Sequence, residues 1–138
     1  MIDPLQASVR IASSGLEAQS TRLRVVSENL ANANTTGKTA GSEPYRRKTI
    51  TFEGEMDRAA GVNTVKIKDV GVDKAPYRVE YDPGNQAADQ QGYVKMPNVN
   101  MLIEMADMRE TNRSYEANLQ VVKQVRSMTA MTIDLLRG

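Results

Sequence analysis

Apolar residues at the start of the chain recur at Ile2, Leu5, Val9, Ala12 and Leu16, then after Gln19 at Leu23, Val26, Leu30 and Ala33. The steps alternate three and four without a break, which predicts a long helix packed against other helices along one seam. Asp3 fits an N-cap and Pro4 the first helical position, where a missing N–H costs nothing. Gly15 is the weak point of the interior, by about 1 kcal/mol relative to Ala. Gln19, polar on the seam, is expected to set register by rejecting neighbours that cannot pair with it.

The far end has the same period. Pro97 and Asn98 signal a start, and no Pro or Gly follows until Gly138. Met101, Met105, Met108, Asn112, Tyr115, Leu119 and Val122 keep the alternation, while Val121, Val125, Met128 and Leu135 form a second stripe, widened by Met131 and Leu136. Two stripes on one helix predict more than one packing neighbour. Helices over 4–33 and 98–136 would be about 45 and 60 Å long, against roughly 35–40 Å across a compact globule of this size. Pairing covers one seam of each. Every large apolar side chain left in water forgoes about 1.5–3 kcal/mol, so the rest is expected to be covered by other chains. A self-contained helical hairpin is the alternative.

Between these ends the period falls to two. RRKTITF (46–52), VNTVKIKDVGV (62–72), YRVEYDPGN (77–85, with an Asp-Pro-Gly turn) and QQGYVKMP (90–97) read as strands. In 77–85, Tyr77, Val79 and Tyr81 alternate with Arg78, Glu80 and Asp82. The expected class is α+β: two long terminal helices forming a coiled-coil-like pair, with a small antiparallel β unit inserted. The expected divisions are 1–33 for the first helix, 34–43 for a polar connector, 44–96 for the β unit and 97–138 for the last helix.

Composition narrows the chemistry. The 138 residues include no Cys, His or Trp, one Phe and five Tyr, with a net charge of +1. Thiol and imidazole chemistry is therefore absent, and the overall field draws neither nucleic acid nor an anionic membrane. MIDPLQASVR lacks the basic-then-apolar layout of a secretory signal. No apolar run approaches the roughly 20 residues of a membrane span. The chain is expected not to insert in a membrane, and to be cytoplasmic or exported without a cleaved signal.

NANTTGKT (32–39) matches a phosphate-binding loop at Gly37, Lys38 and Thr39, but Asn32 replaces its first glycine. Such a loop precedes a helix, whose positive end holds phosphate; here it follows one, whose negative end repels it. Asn32, Asn34, Thr35 and Gly37 instead read as a helix exit, with Asn and Gly in left-handed conformation. Basic residues 46–48 are expected to form a solvated face or to meet an acidic partner. Of the acidic groups, Glu53, Glu55 and Asp57 lie at strand spacing without a calcium loop, and Glu104 and Asp107 are expected to be ion-paired near Arg109. No catalytic constellation emerges. No cofactor, metal, nucleic acid or small-molecule substrate is expected.

SSGLEAQSTRLRVVSENLANANTTG (13–37) resembles the N-terminal signature of the axial proteins of the bacterial flagellum. NVNMLIEMADMRETNRSYEANLQVVKQ (98–124) resembles their C-terminal signature, with Tyr115, Ala117 and Asn118 at its core. PYRRKTITF with YDPGNQAADQQGYVKMPNVN is similar to the proximal-rod members, through Tyr45, Arg46, Tyr81, Asp82, Pro83, Gly84, Gly92, Tyr93, Pro97 and Asn98. The resemblance implies a non-enzymatic structural subunit of the basal-body rod, exported through the flagellar type III apparatus and assembled in the periplasm. It implies a helical tube that transmits torque, its terminal helices around the export channel and its β unit outward. Implied partners are other copies, other rod subunits and the membrane-embedded MS-ring and export gate. Another rod or hook-junction protein, or a cytoplasmic coiled-coil adaptor, is the alternative.

Leu5, Val9, Leu16, Leu23, Val26 and Leu30 are expected to pack on Leu119, Val122, Val125 and Met128 of the same chain and on neighbouring subunits. Met105, Met108, Tyr115 and Leu135 extend that assembly surface. Few aromatics and long amphipathic ends give such a chain little to gain by folding alone, so its ends are expected to order on assembly.

Overall fold

The computed structural model describes residues 3–138; the seam position Ile2 lies outside the described residues. The elements in order are α1 (Pro4–Ala31), β1 (Lys48–Asp57), β2 (Val62–Val72), β3 (Arg78–Tyr81), β4 (Tyr93–Met96) and α2 (Met101–Arg137). Two long helices flank a small antiparallel β region, the expected α+β class.

Local chemistry explains the helix ends. Asp3 caps α1, its Oδ1 accepting the Leu5 N–H at 3.1 Å. At the other end Asn32 donates its side-chain amide to the Glu28 carbonyl at 2.8 Å. Thr35 donates its N–H to the Asn32 carbonyl and its hydroxyl to Asn32 Oδ1. Among the described residues no non-glycine has positive φ, and Gly37 is not among the glycines that do. The left-handed exit expected at Asn32, Asn34 and Gly37 is therefore corrected: side-chain capping stops α1. Gly37 is small because a Cβ there would lie 1.9 Å from Ser42 Oγ and 2.9 Å from the Ser42 carbonyl oxygen.

α2 begins three residues later than the Pro97–Asn98 signal indicated. Its cap is Asn100, whose Oδ1 accepts the Leu102 and Ile103 N–H groups. Asn98 is occupied elsewhere, accepting the Arg47 N–H and donating to the Asp73 and Ala75 carbonyls.

The β region is two separate two-stranded sheets, β1–β2 and β3–β4. β1 starts two residues inside RRKTITF and runs on to Asp57, and β2 covers 62–72 as expected. Asp57 organises the turn between them, accepting the Ala59 and Ala60 N–H groups on Oδ1 and the Gly61 N–H on its carbonyl. In the second sheet Val79 faces Lys95, Glu80 faces Val94 and Tyr81 faces Tyr93. Val94 is fully buried, while Val79, Tyr81 and Tyr93 lie exposed. Tyr77 falls outside the strand.

The chain divides into two compact units. The first gathers the chain through Leu23, Thr51–Asp69 and Arg109–Gly138. There α1 and α2 run antiparallel, with Gly15 so close to Asn118 that a Cβ would sit 2.7 Å from its Nδ2, and Arg22 3.6 Å from Glu110. Buried Ala12, Ala18, Ala60, Val122 and Val125 make its small core. Small side chains let two helix backbones approach closely; a larger one at Gly15 would force them apart. The second unit comprises Arg24–Ile50 and Val70–Met108. Its core is Val25, Val26, Ala33, Ala87, Val94 and Val99, together with buried Asn29 and Glu104.

Candidate assembly site

Period does not say which stripe of a helix faces inward, and α2 shows the difference. The positions it buries are Glu104, Thr111, Val122 and Val125, polar over the first half. The stripe of Met101, Met105 and Tyr115 lies on the exposed side, and Met108 is half-buried. Exposure continues at Val121, Met128, Met131 and Ile133 and is greatest at Leu102 (79%) and at Leu135 and Leu136 (83% each). A helix of an isolated globule does the reverse, turning polar residues to water and apolar ones inward. On α1, Val26 is buried and Leu5, Val9, Leu16, Leu23 and Leu30 are half-buried. Leu119 is also half-buried. Gln19 Oε1 is buried without a hydrogen-bond donor among the described residues, so none of them supplies a partner to that oxygen for the register role expected of it.

In the second unit a polar node anchors the start of α2. Glu104 is 0% exposed. It pairs with the Arg47 guanidinium through Oε1 and accepts the Asn29 amide on Oε2 at 3.2 Å. Asn29 is saturated: it donates also to the Lys48 carbonyl (2.9 Å) and accepts the Tyr45 hydroxyl and the Lys48 N–H, both at 2.8 Å. Arg47 also lies 3.6 Å from Asp73. Buried polar groups persist only when paired in this way.

Glu104 is ion-paired as expected, and its partner is Arg47. One expectation is corrected. The basic run 46–48 is not a solvated face: Arg46 donates to the Asp73 carbonyl and lies 4.4 Å over the Tyr77 ring, and Lys48 bonds Glu28 at 2.6 Å. The Lys48 and Arg24 hydrogen bonds hold the Glu28 carboxyl below its usual range. Sequence reasoning passed over Asn29, which lies beside the seam of Leu23, Val26, Leu30 and Ala33 and carries no periodic signal of its own. The acidic residues on the hairpin are likewise engaged, Glu53 and Glu55 with Lys66 and Asp57 with Arg10 at 2.6 Å.

Tyr45 supplies a pH signature of the node. Burial first, then the charges of Glu28 and Glu104, push its hydroxyl above the ordinary tyrosine value. A raised pKa means that its contribution to stability is fully present below the unfolded value. It is lost as pH rises through the folded one. In an alkaline absorbance titration Tyr45 is expected to ionise above the ordinary tyrosine range, as a late phase that Tyr45→Phe removes. A late phase surviving the substitution would refute the assignment.

The rest of the β motif is a folded loop between β3 and β4. Asn85 donates its N–H to the Asp82 carbonyl across Pro83 and Gly84, and Asp82 donates its own to the Gly92 carbonyl. Asp89 Oδ1 accepts the Gln91 and Tyr93 N–H groups. Gly92 has φ +87°, and a Cβ there would meet the Tyr81 ring at 2.8 Å. Tyr81 and Tyr93 pack edge to face with centroids 5.3 Å apart. Pro97 is buried ahead of α2, whereas Asn34 is exposed. No helix among the described residues is long and apolar enough to cross a membrane.

Known proteins are similar to this chain in sequence at both ends and across the segment between them. Residues 9–37 match the family described as flagella basal body rod protein, and residues 90–135 match the flagellar basal body rod FlgEFG protein C-terminal family. The flagellar basal-body rod protein FlgC of Agrobacterium fabrum (strain C58) is 65% identical over 99% of this chain and 99% of its own length. The FlgC of Escherichia coli O6:H1 is 44% identical over 91% of this chain and 92% of its own. That of Bacillus subtilis (strain 168) is 33% identical over 93% and 95%. A match over 99% of the chain takes in both helices and the β motif together, and the chain belongs to the FlgC family of flagellar basal-body rod proteins, as a structural subunit of the rod.

Proposed function

We propose that this subunit builds the proximal rod by packing its terminal helices against those of neighbouring subunits, as a tube around the export channel that carries torque. The observation behind this reading is the inverted face of α2, which buries Glu104 and Thr111 and exposes Leu102, Met105, Met128 and Leu135. Neighbouring helices remove those side chains from water, at about 1.5–3 kcal/mol each when fully covered. The division of labour follows, with the helices (1–33 and 97–138) as the inner-tube domain and 44–96 as an outer unit reached through the 34–43 connector. The packing residues are Leu5, Val9, Leu16, Leu23, Val26 and Leu30 with Leu119, Val122, Val125 and Met128.

In this reading the chain passes through the flagellar export apparatus without a cleaved signal and orders fully on assembly in the periplasm. It contacts other copies, other rod subunits and the MS-ring and export gate. Its role is mechanical, and it catalyses no reaction.

Met128→Asp tests this reading, because Met128 is 44% exposed in the single chain and its replacement leaves the chain's own core intact. The variant is expected to be secreted at the wild-type level, to be missing from purified basal bodies, and to abolish swimming. Motile cells with the variant in their basal bodies would defeat the proposal.

A further inference from the structure

In the first unit a groove of about 700 Å³ opens between the first turns of α1 and the last turns of α2. Leu5, Val9, Val125 and Ile133 line it, together with the charged Asp3, Arg10 and Arg126, of which Arg10 is already paired with Asp57. Beyond the groove α2 continues to Arg137, carrying Leu135 and Leu136, both 83% exposed, between Asp134 and Arg137. The chain cannot fill its own groove with these leucines. They lie further along the same continuous helix that forms one wall, about 3 to 5 Å past Ile133 along the axis.

We propose that the last turn of α2 from a second copy of this chain, with its Leu135 and Leu136, occupies this groove. The proposal rests on the reading that the terminal helices drive assembly, and it names which surfaces meet. Charge selects the occupant. Among the described residues neither the Arg126 nor the Asp134 side chain has an ion pair or hydrogen bond within the chain. The incoming turn brings Asp134 to Arg126 and Arg137 to Asp3, opposite signs at both points. Groove and plug are different surfaces, so the contact is heterologous and repeats head to tail without self-closure, the geometry from which filaments grow. One helical turn buries well under the roughly 1,000 Å² of a stable isolated interface. The contact therefore forms in the rod, beside others, and not as a dimer in dilute solution.

Two experiments on the full chain test this. Arg126→Asp and Asp134→Arg are each expected to lower incorporation into basal bodies by roughly tenfold or more, by placing like charges together, and the double variant to restore it. A double variant no better than the singles, or singles without effect, overturns the pairing. The chain has no cysteine, so Gln6→Cys and Leu136→Cys can be co-expressed as separate variants and oxidised in isolated basal bodies. The expected product is a species of twice the chain's mass that requires both variants. An adduct of either variant with a different protein, or both variants incorporated without cross-linking, overturns the second-copy assignment while leaving helix-driven assembly standing. Incorporation unaffected by Met128→Asp would instead remove that underlying reading.

Discussion

Arg47→Met is expected to destabilise the folded chain by about 3 kcal/mol, because it leaves a buried carboxylate without its cation. Glu104 is 0% exposed, and without Arg47 its remaining partner is the Asn29 amide at 3.2 Å. The complementary change, Glu104→Gln, is expected to cost less, about 1 kcal/mol. Glutamine keeps an acceptor for Asn29, and Arg47 retains Asp73 at 3.6 Å with its side chain 24% exposed to water. Adding Glu104→Gln to Arg47→Met is expected to recover part of the loss, since the buried charge is gone. Urea unfolding of the three variants checks the order, read from the midpoints at unchanged slope. If Arg47→Met proved the mildest of the three, the node would not be what holds the start of α2 to the residues around Asn29.

Gly37→Val is the second change with a large expected effect, about 2 to 3 kcal/mol, for reasons of space rather than backbone handedness. The new Cβ would overlap Ser42 Oγ at 1.9 Å and press on the Ser42 carbonyl oxygen at 2.9 Å. A hydroxyl can rotate away, but a backbone carbonyl cannot do so without moving the connector. Ser42→Ala added to Gly37→Val should therefore recover only part of the stability. Gly41 is the contrasting case, with φ +71° and nothing within 4 Å of a built Cβ. Gly41→Asn, which tolerates that conformation, is expected to shift the midpoint far less than Gly37→Val. Equal effects at the two positions, in parallel thermal melts, would show that the crowding at Gly37 is not what matters.

Much of the architecture was legible because helices and strands impose periods that survive without neighbours. The three-four alternation located both helices, and the Asp3–Pro4 pair located the start of α1 to the residue. Alternation and the Asp-Pro-Gly turn located the strands, with β2 at its observed bounds. Charge and composition left no material for thiol or imidazole chemistry. These are local properties, decided by a few adjacent residues and their solvation.

What local pattern leaves open is direction and partnership. Glu104 and Met105 are neighbours on one helix, and nothing in their spacing says that the glutamate turns inward and the methionine outward. Arg47 lies 57 positions from Glu104, and pairing it there rather than leaving it in water depends on the fold bringing Asn29, Tyr45 and Asp73 to the same place. Gly37 likewise looks like a left-handed helix stop until Ser42 is seen pressing on it. The sequence by itself determined the kinds and order of the elements, and the extents of the two helices to within a few residues. Only the tertiary structure decided which polar groups are desolvated together and which apolar ones stay outside, because a buried charge persists only where its partners converge in space.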